Sequence, residues 1–142
     1  MSLSAASLDR IDREVAKYPP GHQQSAVMAA LAIAQDEHGW LSTATMDAVA
    51  KHLGMPPVAV YEVATFYSMY DLAPTGRFKL SICTNLPCAL SGANEAAAHL
   101  KATLGVGFGE TTADGLFTLR EYECMGACGD APVLTVNNKR MC

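Results

Sequence analysis

The chain has 142 residues, half of them hydrophobic and 17% charged, with a formal net charge of −4. That acidic balance argues against bulk electrostatic affinity for nucleic acid or anionic lipid, and the length is sufficient to bury a core without covalent staples. The opening run Met-Ser-Leu-Ser-Ala-Ala-Ser-Leu-Asp-Arg has no basic start followed by an apolar segment, so no secretory signal is expected. No apolar run approaches the roughly 20 residues that would cross a bilayer.

Residues 1–73 read as a helical domain. Ser7 is placed to cap a first helix carrying Leu8, Ile11 and Val15 at helical spacing, with Asp9 and Asp12 near its positive end. That helix stops before Pro19-Pro20-Gly21. A second, about 24–37, sets Val27, Leu31 and Ala34 on one face and ends near His38-Gly39-Trp40. A third, 43–53, carries Met46, Val49, Ala50 and Leu53, with Gly54 placed to end it. Pro56-Pro57 opens a fourth, 58 to about 70, because proline is tolerated in a first helical turn.

Helices three and four follow the order of a helix-turn-helix, yet residues 56–70 contain no lysine or arginine for phosphate contacts. Tyr61, Phe66, Tyr67, Met69 and Tyr70 suit packing against protein instead, so no nucleic-acid partner is expected. Ala73-Pro74-Thr75-Gly76 marks a joint, and residues 77–142 form the second domain.

In that domain Phe78, Leu80 and Ile82 alternate with polar residues, as in a half-buried strand. A helix of about 91–104 follows, with Ala93, Ala97, Leu100 and Leu104 on one face and Gly105 at its end. A second strand follows the Asp114-Gly115 turn, within 116–123, and a third covers 133–136. Asn137-Asn138 is a hairpin turn pair whose return strand should begin at Lys139. A β-α-β start followed by an incipient hairpin is the order of a thioredoxin-like domain whose C-terminal strand and helix are missing. The fold class is therefore α+β. Gly105-Val-Gly107-Phe-Gly109 follows a helix rather than a strand, and reads as a connector, not a dinucleotide-binding loop.

Four of the five cysteines fall in two tight pairs, Cys83-x4-Cys88 and Cys124-x3-Cys128, each expected on a loop at a strand end. Reduced thiols in a chain without a secretory signal favour metal ligation over disulfides. An all-thiolate zinc site and a two-iron cluster both suit four thiolates, and Met125-Gly126-Ala127-Cys128-Gly129 can bring backbone N–H groups to sulfur in either. Spacing alone leaves both open. Cys142 is left over, an incidental or buried thiol. His22, His38, His52 and His99 are scattered, so a histidine-ligated centre is not expected, and no catalytic side-chain set is recognisable.

Together, Cys83-Thr-Asn-Leu-Pro-Cys88-Ala-Leu-Ser-Gly-Ala and Glu123-Cys124-Met-Gly-Ala-Cys128-Gly-Asp-Ala-Pro132 resemble the thioredoxin-like [2Fe-2S] family. Within it they are similar to the small flavoprotein-arm subunits of bacterial NADH-quinone oxidoreductase (complex I). His38-Gly-Trp40-Leu and Pro57-Val-Ala-Val-Tyr61-Glu-Val-Ala-Thr65-Phe66-Tyr67 resemble the N-terminal segment of those subunits. The resemblance implies one [2Fe-2S] cluster on Cys83, Cys88, Cys124 and Cys128. It also implies electron transfer beside a partner subunit that carries FMN and NADH, within a peripheral arm on the cytoplasmic side of a membrane. Such a chain belongs to an oxidoreductase without being catalytic alone or entering the membrane. The equivalent small diaphorase subunit of a soluble NAD-linked formate dehydrogenase or hydrogenase is the alternative, as is a non-enzymatic zinc or ferredoxin-like binding module.

Overall fold

Ser4, three residues ahead of the expected cap, starts the first helix. In the computed structural model, which describes residues 2–141, α1 spans Ala5–Val15 and the Ser4 hydroxyl accepts the Ser7 N–H at 3.2 Å. The Ser4 N–H donates to the Glu37 carboxylate at 3.0 Å, and its hydroxyl lies 3.2 Å from the same group. Ser4 wins because Glu37, at the far end of another helix, holds it in place, while Ser7 is buried inside the helix.

A 3-10 turn, Gln23–Ala26, leads into α2, Val27–His38, which Gly39 closes at φ 80. Helix α3 spans Thr43–Leu53: the Ser42 hydroxyl accepts the Thr45 N–H at 3.1 Å and Gly54 ends it in the left-handed region. Helix α4 spans Pro57–Phe66 and stops short of the expected end near residue 70, because Tyr67 turns extended and Tyr70 folds into the core. Ile11, Leu31, Leu41, Val49, Leu53 and Val60 are all 2% exposed or less and hold these helices together. Each such side chain contributes about 1.5–3 kcal/mol by leaving water. The outer side of α4 stays bare, with Val58 and Phe66 exposed.

The chain divides into two compact units, Met1–Pro74 and Thr75–Cys142. The second contains β1 (Phe78–Cys83), α5 (Leu86–Leu90), α6 (Ala93–Leu104), β2 (Phe117–Tyr122), β3 (Leu134–Val136) and β4 (Arg140–Met141). The strands lie in the order β2-β1-β3-β4; β1 and β2 run parallel, with α6 as the crossover, and the other pairings are antiparallel. Asn137 and Asn138 take φ 53 and 59, the left-handed pair that matches a hairpin's twist. The return strand starts at Arg140, one residue after the expected Lys139, which remains in the turn; Cys142 lies outside the described residues. The fold is α+β, thioredoxin-like, with a helical N-terminal unit.

Strand β1 departs from its expected alternation, although Ile82 is buried as expected. Lys79 and Ser81 are 3% and 0% exposed, whereas Phe78 and Leu80 are only half-buried. β1 is an interior strand of a sheet against which α6 packs, and it is buried on both faces rather than one. Gly76 enters this sheet where a side chain has no room: a Cβ there would meet the Leu116 and Phe117 backbone at 3.0 Å, and its N–H donates to Thr118 Oγ1 at 2.7 Å.

Candidate metal centre

Strand β1 delivers Cys83 as its last residue, 2% exposed, with its N–H donated to the Val133 carbonyl at 3.0 Å. The chain then turns through Thr84 and Asn85 into α5, with proline in the first turn, where its fixed φ suits a helix start. Cys88 therefore sits on a short helix rather than on the expected loop, and is also 2% exposed. The second pair differs. Cys124 follows β2 on an open loop, Cys128 begins a single 3-10 turn, and both are exposed.

The two cysteine segments are tied together by groups the spacing did not reveal. With its amide oriented to satisfy its neighbours, Asn85 accepts the Cys124 N–H at 3.1 Å and donates to Glu123 at 2.7 Å. The Thr84 hydroxyl donates to Glu121 at 2.7 Å. Met125, Ala127 and Ala131 pack against a buried cluster of Cys83, Cys88, Ala93 and Val133, so the second loop lies over the first pair. A polar residue between paired cysteines, facing another pair elsewhere in the chain, is the one sequence cue that could have pointed to Asn85.

Burial pushes the Cys88 thiol up from its ordinary range, a hydrogen bond with Cys83 and the charges of Cys83 and Cys128 push the same way, and a backbone hydrogen bond with Val133 opposes them. Cys124 is different again: its sulfur accepts the Gly126 N–H at 3.3 Å, made reachable by glycine at φ 71. Among the described residues, no three His, Cys, Asp or Glu side chains stand as a ligand group for a single ion. Two of the four histidines are engaged elsewhere: His52 meets Asp12 at 2.7 Å and His99 meets Thr103 at 3.5 Å.

Residues 11–142 match the family described as thioredoxin-like [2Fe-2S] ferredoxin. The chain belongs to that family. Among curated relatives of this ferredoxin, an NADH-quinone oxidoreductase subunit of Rhizobium meliloti is 47% identical over 92% of this chain and 76% of its own length. A second, NADH-quinone oxidoreductase subunit 2 of Thermus thermophilus, is 42% identical over 92% of this chain and 72% of its own. Among solved structures, an NAD+-reducing [NiFe]-hydrogenase in the H2-reduced state superposes with a TM-score of 0.65 at 22% identity. That match covers 78% of the ferredoxin but 19% of the hydrogenase chain, and supports the fold alone.

The donor set suits the group this family is named for. Four thiols come in two pairs, one sealed by apolar side chains and one supplied with a backbone N–H donor. A [2Fe-2S] cluster takes four cysteine thiolates, so Cys83, Cys88, Cys124 and Cys128 would hold it and it would supply one-electron chemistry there.

Proposed function

We propose that this chain is the small iron-sulfur subunit of an NADH-quinone oxidoreductase, holding one [2Fe-2S] cluster through Cys83, Cys88, Cys124 and Cys128. Such a cluster, when bound, takes up and returns one electron at a time. The observation that carries the reading is the packing of Met125, Ala127 and Ala131, from the segment that bears Cys124 and Cys128, onto the buried Cys83–Cys88 pair. Cys83 and Cys88 exclude water on one side, Gly126 supplies a sulfur-directed N–H on the other, and Asn85 holds the loops in register.

FMN and NADH belong to a partner subunit in this reading. The aromatic edge of α4, with Phe66 79% and Tyr67 39% exposed, is the surface proposed to meet it. Among the described residues no helix is long and apolar enough to cross a membrane. The proposed role places the chain in a peripheral arm, on the cytoplasmic side. Identities of 42–47% to NADH-quinone oxidoreductase subunits favour the quinone-linked assembly.

The test is metal and sulfide analysis of anaerobically purified chain, with electron paramagnetic resonance after reduction. Two irons and two acid-labile sulfides per chain, with an S = 1/2 signal, are expected of one such cluster. Stoichiometric zinc without iron would overturn the assignment in favour of a structural zinc module.

A further inference from the structure

The four thiols are unequal, and the inequality has a direction. Cys83 and Cys88, each 2% exposed, are covered by Met125, Ala127 and Ala131 of the second loop, whereas Cys124 and Cys128 stand exposed on that loop. No neighbour crowds the loop at its two glycines: a Cβ added at Gly126 or Gly129 would meet nothing within 4 Å. Whatever reaches the buried pair from solvent must first pass, and displace, the segment that bears the exposed pair.

We propose that the chain acquires its cluster by an ordered ligand exchange, with Cys124 and Cys128 binding first, Cys83 and Cys88 second, and the loop around Gly126 and Gly129 as the moving part. This rests on the [2Fe-2S] reading above. The reaction that supplies the cluster is transfer from a carrier that holds it through thiolates. In the first step Cys124 and Cys128 each form an Fe–S bond to one iron. Two carrier thiolates leave that iron and take up the two protons the cysteine thiols release. In the second step the loop folds back, Cys83 and Cys88 make the same exchange on the other iron, and the last two carrier thiolates leave as thiols. Thiolate replaces thiolate throughout, so no oxidant or reductant is consumed. The opposite order would require a carrier to engage two sealed thiols while the loop still covers them.

The test uses the full cluster-free chain and the glutathione-ligated [2Fe-2S] complex as donor, followed by visible circular dichroism. Wild type should load in two phases. Cys83→Ala/Cys88→Ala should keep the first phase within about twofold and lose the second, while Cys124→Ala/Cys128→Ala should slow the first by about tenfold or more, because exchange depends on access to the attacking thiol. A first phase lost in the Cys83/Cys88 variant and kept in the other, or slowed equally in both, overturns the order. A second measurement needs no variant: iodoacetamide should modify Cys124 and Cys128 in the folded wild-type chain about tenfold faster than Cys83 and Cys88. Equal rates overturn the proposal. A wild type that takes up no cluster from the donor defeats the [2Fe-2S] reading itself, whereas a wild type that loads while both double variants fail alike defeats only the order.

Discussion

The Tyr70 hydroxyl donates to the Met28 carbonyl at 2.9 Å, tying the segment after α4 to the start of α2. The side chain is 4% exposed. Burial pushes its ionisation up to about 12, with the charge of Tyr67 adding to the effect. Because the folded state raises this group above its ordinary value, the stability it contributes is complete below pH 10 and is lost as the pH rises through about 12. Tyr70→Phe should lower unfolding free energy by about 1 kcal/mol in urea titration. Tyr70→Ala should lower it by about 3–5 kcal/mol. In absorbance titration Tyr70→Phe should remove the most alkaline phenol step; an unchanged titration curve would contradict the burial argument.

Gly76 offers a test of packing in the second unit. Its position faces backbone atoms of Leu116 and Phe117 that cannot rotate aside. Gly76→Ala should destabilise the chain by about 1–3 kcal/mol through forced displacement of the β2 entry. Chemical denaturation measures this, and a neutral result would mean that the sheet edge yields more freely than its hydrogen bonds to Arg77 and Phe78 suggest.

Asn85 should matter to cluster retention without being a ligand. Asn85→Ala leaves the Cys124 N–H and the Glu123 carboxylate without their partner, so the two cysteine segments lose register. Iron release to a chelator is expected to quicken by about tenfold, the size of effect typical of residues that orient ligands. Each single serine replacement of Cys83, Cys88, Cys124 or Cys128 should weaken or abolish cluster binding outright, whereas Cys142→Ser should leave iron content unchanged.

Phe66, 79% exposed beside Tyr67, is a large apolar side chain with little folding role. Phe66→Asp should leave the helical unit folded by circular dichroism while reducing co-purification with the flavin-bearing subunit. Full co-purification would place the contact elsewhere. The chain alone should show no NADH–ferricyanide turnover, and the pair should show it; turnover by the isolated flavin-free chain would overturn the division of labour.

The sequence by itself determined the features whose energetics are settled within a few residues. Ser42 and Gly54 bracket α3 because a hydroxyl can reach an N–H three residues on and glycine tolerates the left-handed exit. Asn137-Asn138 forms the hairpin turn because asparagine accepts positive φ. The cysteine motifs, with their spacing, carried the family. Tertiary structure decided the rest, wherever a competing partner lay far along the chain. Glu37 selected Ser4 over Ser7 as the first cap, and the pull of Tyr70 into the core, onto Met28, ended α4 at Phe66. The interior place of β1 in a sheet packed by α6 buried Lys79 and Ser81, which local alternation had assigned to solvent. The division of four similar cysteines into a sealed pair and an open pair came from the same source. Exposure is set by what packs on top, and here that is a distant downstream loop, held to the first pair by Asn85 and by the apolar contacts of Met125 and Ala127.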